Sequence, residues 1–175
     1  MGLTPEALLA RVATCCQDVT CLPVADMRGQ AVAVVPRERS PEVLRTLRDD
    51  PDLRLDLLSD LTAVDYLGRT PRFELVYQLV STTAHHRLRV KVPLDESDLV
   101  APTASGLWKS ALWAEREVWD LFGIQFAGHP DLRRILLYPE FEGHPLRKDY
   151  PTNRRWPLVP ERDPIRDPWR ARGGR

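Results

Sequence analysis

No stretch of this 175-residue chain is apolar for long enough to form a membrane-crossing helix: the longest purely apolar run is Ala31 to Val35, against about 20 residues needed. The opening residues, Met1 to Glu6, lack the basic start and apolar stretch of a secretory signal, so membrane association is expected to come only through partners. Cysteine is scarce. Cys15, Cys16 and Cys21 are an odd number without an export signal, which points to reduced thiols. Two of them are adjacent, unlike the spaced sets that ligate iron–sulfur clusters, so small buried hydrophobes are the expected role. Glycine-rich phosphate loops are also missing, both G-x-G-x-x-G and the form ending in Gly-Lys-Ser/Thr, which removes the usual nucleotide sites.

Net charge is absent as well, but only in total. Residues 1–146 carry 16 Lys+Arg against 21 Asp+Glu, a balance of −5, and residues 147–175 carry 9 against 4, a balance of +5. An acidic body therefore ends in a basic tail, of a kind that binds nucleic acid, an anionic surface or an acidic protein. The length suits one domain with a sizeable core, and 43% hydrophobic with 29% charged residues is ordinary for a globular chain.

Thr4-Pro5-Glu6 supplies a capping hydroxyl, a proline and an acid for a helix running to about Gln17, and Ser40-Pro41-Glu42 repeats the signal for a helix through about Asp49. Ala31–Val35 reads as a short buried strand between them. From Leu53 the period becomes two. Leu53, Leu55 and Leu57 alternate with Arg54 and Asp56, and the pattern resumes through Leu61 to Tyr66. After the turn Gly68-Arg69-Thr70-Pro71 come Phe73, Leu75, Tyr77 and Leu79; after a polar turn near Thr83–His86, Leu88, Val90 and Val92 alternate with Arg87, Arg89 and Lys91. Three strands with short turns predict an antiparallel meander, with one face on helices and the basic stripe on its solvated face. The expected fold is a two-layer α+β domain over residues 1–150. It holds an N-terminal helix, a mixed or antiparallel sheet of about four strands and a long helix, and an extended Pro/Arg/Trp-rich tail follows over 151–175.

The long helix is expected over about Thr103 to Phe122, with Gly123 as a left-handed cap. At 100° per residue, Leu107, Trp108, Ala111, Leu112, Ala114, Val118, Trp119, Leu121 and Phe122 share one broad apolar arc. Glu115 falls inside that arc and so requires a cationic or hydrogen-bonding partner. Trp113 falls outside it, among Arg116, Glu117 and Asp120, where a large aromatic suggests either a contact surface or packing under the following loop. Beyond the helix, Gly128-His129-Pro130-Asp131-Leu132-Arg133-Arg134 is echoed fifteen residues later by Gly143-His144-Pro145-Leu146-Arg147-Lys148-Asp149. Each copy is a glycine turn, a histidine held extended by its proline, and a basic pair.

Glu115, Glu117, Asp120, His129, Asp131 and His144 are residue types used in acid–base and metal chemistry. Neither histidine, however, lies three or four positions from another helical ligand, and no nucleophile motif is near. Ion pairs are the expected role: Arg116 with Asp120 at i, i+4, and Arg133 or Arg134 with Glu115. The tail's Pro151, Pro157, Pro160, Pro164 and Pro168 preclude a regular helix, and Trp156 and Trp169 suggest a partner.

Glu115, Arg116 and Glu117, the acid Asp120, the apolar pair Leu121 and Phe122, then His129, Arg133, Ile135 and Leu136 form one gapless pattern. It resembles the signature of the 30 kDa (C) subunit of respiratory complex I, the proton-pumping NADH–quinone oxidoreductase. The resemblance covers roughly Leu53 to Pro151. It implies a non-catalytic scaffold subunit in the peripheral arm, on the cytoplasmic side of a bacterial plasma membrane. Such a subunit packs beside the D (49 kDa-like) subunit, near iron–sulfur subunits and the quinone-reducing end. FMN, iron–sulfur clusters and quinone would all be bound by other subunits, with none in this chain. Trp113, Glu115, Arg116, Glu117, Asp120, His129, Asp131, Arg133, Arg134, His144, Arg147, Lys148 and Asp149 would serve as interface positions or structural ion pairs. Two alternatives stay open: the equivalent subunit of a hydrogenase-type or ferredoxin-linked complex, and a nucleic-acid-binding protein using the basic tail.

Overall fold

The computed structural model describes residues 2–153, so the tail reading falls almost wholly outside the described residues. The first helix, α1 (Pro5–Cys15), begins as the sequence predicts, with Thr4 Oγ1 accepting from the Ala7 N–H at 3.3 Å and Pro5 in the first turn. It packs Leu8, Leu9 and Val12 inward. Strands β1 (Thr20–Leu22) and β2 (Ala31–Val34) pair antiparallel, and a short 3-10 turn at Arg37–Arg39 leads into α2 (Ser40–Asp49). Arg11 ties the two helices together by donating to both oxygens of Asp50 at the end of α2 (Nε 3.4 Å, Nη2 2.6 Å).

The meander follows as β3 (Leu57–Asp65), β4 (Phe73–Val80) and β5 (Arg87–Leu94), joined antiparallel. Its first strand starts later than expected. Arg54 takes φ 43°, which breaks the extended run, so Leu53 and Leu55 are buried as loop residues rather than strand residues. Their carbonyls are satisfied by His86 Nε2 (2.6 Å) and Trp108 Nε1 (3.2 Å) respectively. The meander is also joined by β2, which lies parallel to β5, giving a five-stranded mixed sheet in the order β1-β2-β5-β4-β3. Alternation sends Leu61 and Ala63 of β3, Phe73, Leu75, Tyr77 and Leu79 of β4, and Leu88, Val90, Val92 and Leu94 of β5 to one face. There they form a single core with the three helices.

The long helix, α3 (Ala111–Phe122), is shorter at its front than periodicity suggested. Upstream, β6 (Val100–Pro102) pairs parallel with β7 (Gln125–Ala127), and the Thr103 N–H donates to the Ala127 carbonyl at 3.0 Å. That ladder holds residues 100–103 extended, so the helix cannot begin until the turn through Ala104–Ser110 has reversed the chain. At the other end Gly123 has φ 81° and closes the helix through its N–H to the Trp119 carbonyl, as predicted.

Candidate functional site

Helix α3 acts as a post around which residues 103–105 and 129–149 are tied. Glu115 faces the core with no exposed surface, and its carboxylate accepts the Ala104 N–H and the Thr103 hydroxyl, both at 2.6 Å. No guanidinium of the described residues reaches it, so the expected pairing with Arg133 or Arg134 is not made. His129 Nε2 lies 4.0 Å away. Burial pushes the Glu115 carboxyl up to about 7 against the two hydrogen bonds, which favour ionisation. The phenol of Tyr77, fully buried beside it, is pushed up chiefly by its own burial and further by the Glu115 charge.

The second half of the helix is held from outside. Asp120 is fully buried; one oxygen accepts the N–H groups of Ile135 (3.0 Å), Leu136 (2.9 Å) and Leu137 (2.9 Å), and the other takes Arg134 Nη1 at 2.6 Å. Burial opposes ionisation here, but the three N–H groups and the arginine outweigh it and hold the carboxyl below the usual range. Arg116 is buried under the same loop, donating to the carbonyls of Arg133 (3.0 Å) and Arg134 (2.9 Å). The expected Arg116–Asp120 pair is therefore absent, because each residue turns to the loop instead of along the helix.

The two Gly-His-Pro units now have separate jobs. Asp131 N–H donates to His129 Nδ1 at 3.0 Å, which leaves the ring hydrogen on Nε2 to donate to the Leu112 carbonyl at 3.1 Å, at the start of α3. His144 Nδ1 donates to the Asp120 carbonyl at 2.9 Å near the end, where the Leu146 N–H also meets the Leu121 carbonyl at 3.0 Å. One histidine clamps each end of one helix.

A further knot fixes the C-terminal segment to the sheet. Asp65, at the inward-facing end of β3, chelates Arg72 through Nε and Nη2, both at 2.8 Å. Arg72 also meets Glu96 and Asp149. Arg147 joins the same acids, and the Lys148 N–H donates to Asp65 at 2.8 Å. Both guanidinia also approach the Phe73 ring, with Arg72 Cζ 4.9 Å and Arg147 Cζ 5.1 Å from its centre. The Arg72 hydrogen bond lowers the Asp65 carboxyl, and the Arg147 bond does the same for Asp149. Sequence reasoning singles out Arg147, Lys148 and Asp149 but misses Asp65, Arg72 and Glu96. The available signal was an acid at the inward position after Leu61 and Ala63.

The remaining predicted residues sit outside. Trp113 is 62% exposed with Arg116 Cζ 5.3 Å from its ring centre. Among the described residues the exposed Glu117 carboxylate makes no hydrogen bond or ion pair, and the Arg133 guanidinium pairs only with Asp131, at 2.9 Å. Among the described residues no group of three or more His, Cys, Asp or Glu is placed to hold a metal ion. Cys16 is buried, and that burial pushes its thiol up to about 12.

The arrangement defines a small α+β domain whose charged signature is spent on internal clamps. Residues 33–155 match the family described as respiratory-chain NADH dehydrogenase, 30 Kd subunit. The chain is similar to the C-type subunit of the NADH-quinone oxidoreductase of Citrifermentans bemidjiense, 48% identical over 145 residues covering 83% of this chain and 86% of the relative. It is equally similar to the corresponding subunit of Roseiflexus sp., 48% identical over 151 residues covering 86% of each. Among solved structures, a trypsin-resistant fragment (1–134) of Nqo5 superposes with a TM-score of 0.62 at 35% identity, covering 73% of this chain and 98% of the fragment. A chain of a membrane-bound sulfane sulfur reductase, an archaeal respiratory membrane complex, superposes with a TM-score of 0.69 at 26% identity over 85% and 86%. This chain belongs to the 30 kDa subunit family of the respiratory-chain NADH dehydrogenase.

Proposed function

We propose that the chain is a scaffold subunit of a proton-pumping NADH–quinone oxidoreductase. It would sit in the peripheral arm on the cytoplasmic side of the membrane, against the D-type (49 kDa-like) subunit and neighbouring iron–sulfur subunits. FMN, the clusters and the quinone would be bound by other subunits of the complex; this chain would hold its neighbours in register, because electron transfer depends on fixed distances between centres. One observation carries the reading. Apart from the exposed Glu117, the acids and bases that look catalytic in sequence are consumed by backbone and side-chain partners within the chain, while the helix they secure presents Trp113 outward. A large aromatic on a pre-organised helix is a typical binding anchor.

Affinity purification of the tagged chain from native membranes tests this. The D-type and iron–sulfur subunits are expected to come with it, and the chain purified alone is expected to be colourless and to bind neither NADH nor FMN. Stoichiometric iron with a visible absorption band in the chain alone, or its recovery without those subunits, would overturn the reading. The likeness to a chain of an archaeal respiratory membrane complex supports one second reading, the equivalent subunit of a related complex with another electron donor, such as ferredoxin. Membranes that reduce quinone with reduced ferredoxin and not with NADH would select it.

A further inference from the structure

A cleft of about 720 Å³ opens where β3, β4 and β5 meet the start of β2 and the N-terminal turns of α1. That volume lies in the range of ligand-binding clefts, about 300–1,000 Å³, and exceeds what one tetrahedral anion fills. Its lining includes Arg87 and Arg89 beside His85 and His86, and no carboxylate of the described residues contributes to it. This is a local reversal in a body of net charge −5 over residues 1–146. The basic stripe of β5 is also treated unequally along its length. Lys91, outside the cleft, is neutralised by Glu74 at 2.9 Å. Arg89 reaches only the amide of Gln78, whose oxygen, once the amide is turned to suit both groups, accepts from Nε at 3.0 Å. Arg87 is exposed, and neither arginine has a carboxylate partner among the described residues.

We propose that this cleft is a docking site for an extended acidic segment of a neighbouring protein subunit, carrying two acids two residues apart. The inference rests on the reading of the chain as a scaffold subunit and gives one neighbour's contact a chemistry. Arg87 and Arg89 stand at i and i+2 on one strand face, about 7 Å apart along the chain. That spacing matches alternate side chains of an extended peptide, whereas a single anion would need donors converging on one point. Guanidinium forks bind carboxylates bidentately, and partial enclosure strengthens such pairs over those in open water. At the rim Leu57, 41% exposed and in register with Val80 and Arg87, offers apolar contact to a residue two positions beyond either acid, which points to the same face.

The test places a photo-crosslinker in the cleft of the assembled complex. The variant Leu57→p-benzoylphenylalanine is expressed as the tagged full chain in a deletion strain, irradiated after purification of the complex, and the adduct is mapped by mass spectrometry. The expected adduct lies in a segment of another subunit with acids at alternate positions. R87Q/R89Q in the same background should lower its yield at least about tenfold at equal recovery of complex, and R87K/R89K should retain most of it. An adduct to a neutral or basic segment, an adduct within this chain, no adduct, or a yield indifferent to R87Q/R89Q would overturn the proposal. Failure of the tagged chain to recover any complex would instead refute the scaffold reading, and the proposal with it. Because the mapping uses the arginine-intact chain, it does not depend on the double variants folding.

Discussion

Glu115 and Asp120 are two buried carboxylates five positions apart on one helix, and their surroundings drive them in opposite directions. Glu115, raised to about 7 by burial from an ordinary value of 4.5, holds its proton more tightly in the folded than in the unfolded chain. Its contribution is full below the unfolded value and is lost as pH rises through about 7. Glu115→Gln can keep the Ala104 N–H and Thr103 contacts without a charge. We expect it to gain about 1–3 kcal/mol on the natural chain between pH 5 and pH 8, read from urea melts at both values. A gap that stays constant, or closes as pH rises, would contradict the burial argument. Glu115→Ala leaves a buried N–H unanswered and should cost about 1–3 kcal/mol or more at either pH, against about 0.5 kcal/mol or less for the exposed Glu117→Ala. Asp120, Asp65 and Asp149 have lowered folded values, so their stabilisation is present above the unfolded carboxylate range and is lost as pH falls from that range through the lower folded values. Helical periodicity placed Glu115 among apolar neighbours, which was legible; its partner, the backbone eleven residues upstream, was not. Periodicity also put Arg116 and Asp120 on an open polar face with Trp113. Both are buried, because the loop after the helix covers that part of the face, and no helical pattern records a loop folding back.

Helix α3 owes its fixed ends to residues far along the chain. Gly123 is required twice over: at φ 81° it takes the left-handed conformation, and a Cβ there would meet the His144 ring at 2.7 Å. Gly123→Ala should therefore destabilise by more than the roughly 1–2 kcal/mol of the backbone term alone. Combined with His144→Ala it should cost less than the sum of the single changes, since the second change removes the obstacle. Additive losses in a thermal-melt double-mutant cycle would show that the ring and the glycine do not meet. At this scale sequence reasoning succeeds where signals are local, as in the Thr4-Pro5 start of α1, the Ser40–Asp49 helix and the Gly123 cap. It fails where a partner strand or a single φ sets the boundary. The β6–β7 ladder delays α3 until Ala111, Arg54 delays β3 until Leu57, and the parallel β2–β5 pairing joins strands more than fifty residues apart.

For the whole molecule, the clamps explain why so charged a signature surrounds no converging reactive site among the described residues: its residues hold α3, the loop 129–149 and the edge of the sheet as one rigid piece. Rigidity of that kind lowers the cost of binding, which is what a subunit that positions others needs. Trp113, 62% exposed against 37% for Tyr138, is the most exposed aromatic on that piece among the described residues, and a hot-spot residue of this type is worth about 2 kcal/mol or more at an interface. The direct measurement is complementation of a deletion strain with Trp113→Ala, reading both the amount of intact complex in membranes and NADH–quinone turnover per bound FMN. A scaffold predicts less assembled complex with unchanged turnover per FMN, and a melting temperature of the isolated chain near that of the natural one. A normal amount of complex with turnover per FMN reduced tenfold or more would contradict it, and would place this chain in the chemistry itself.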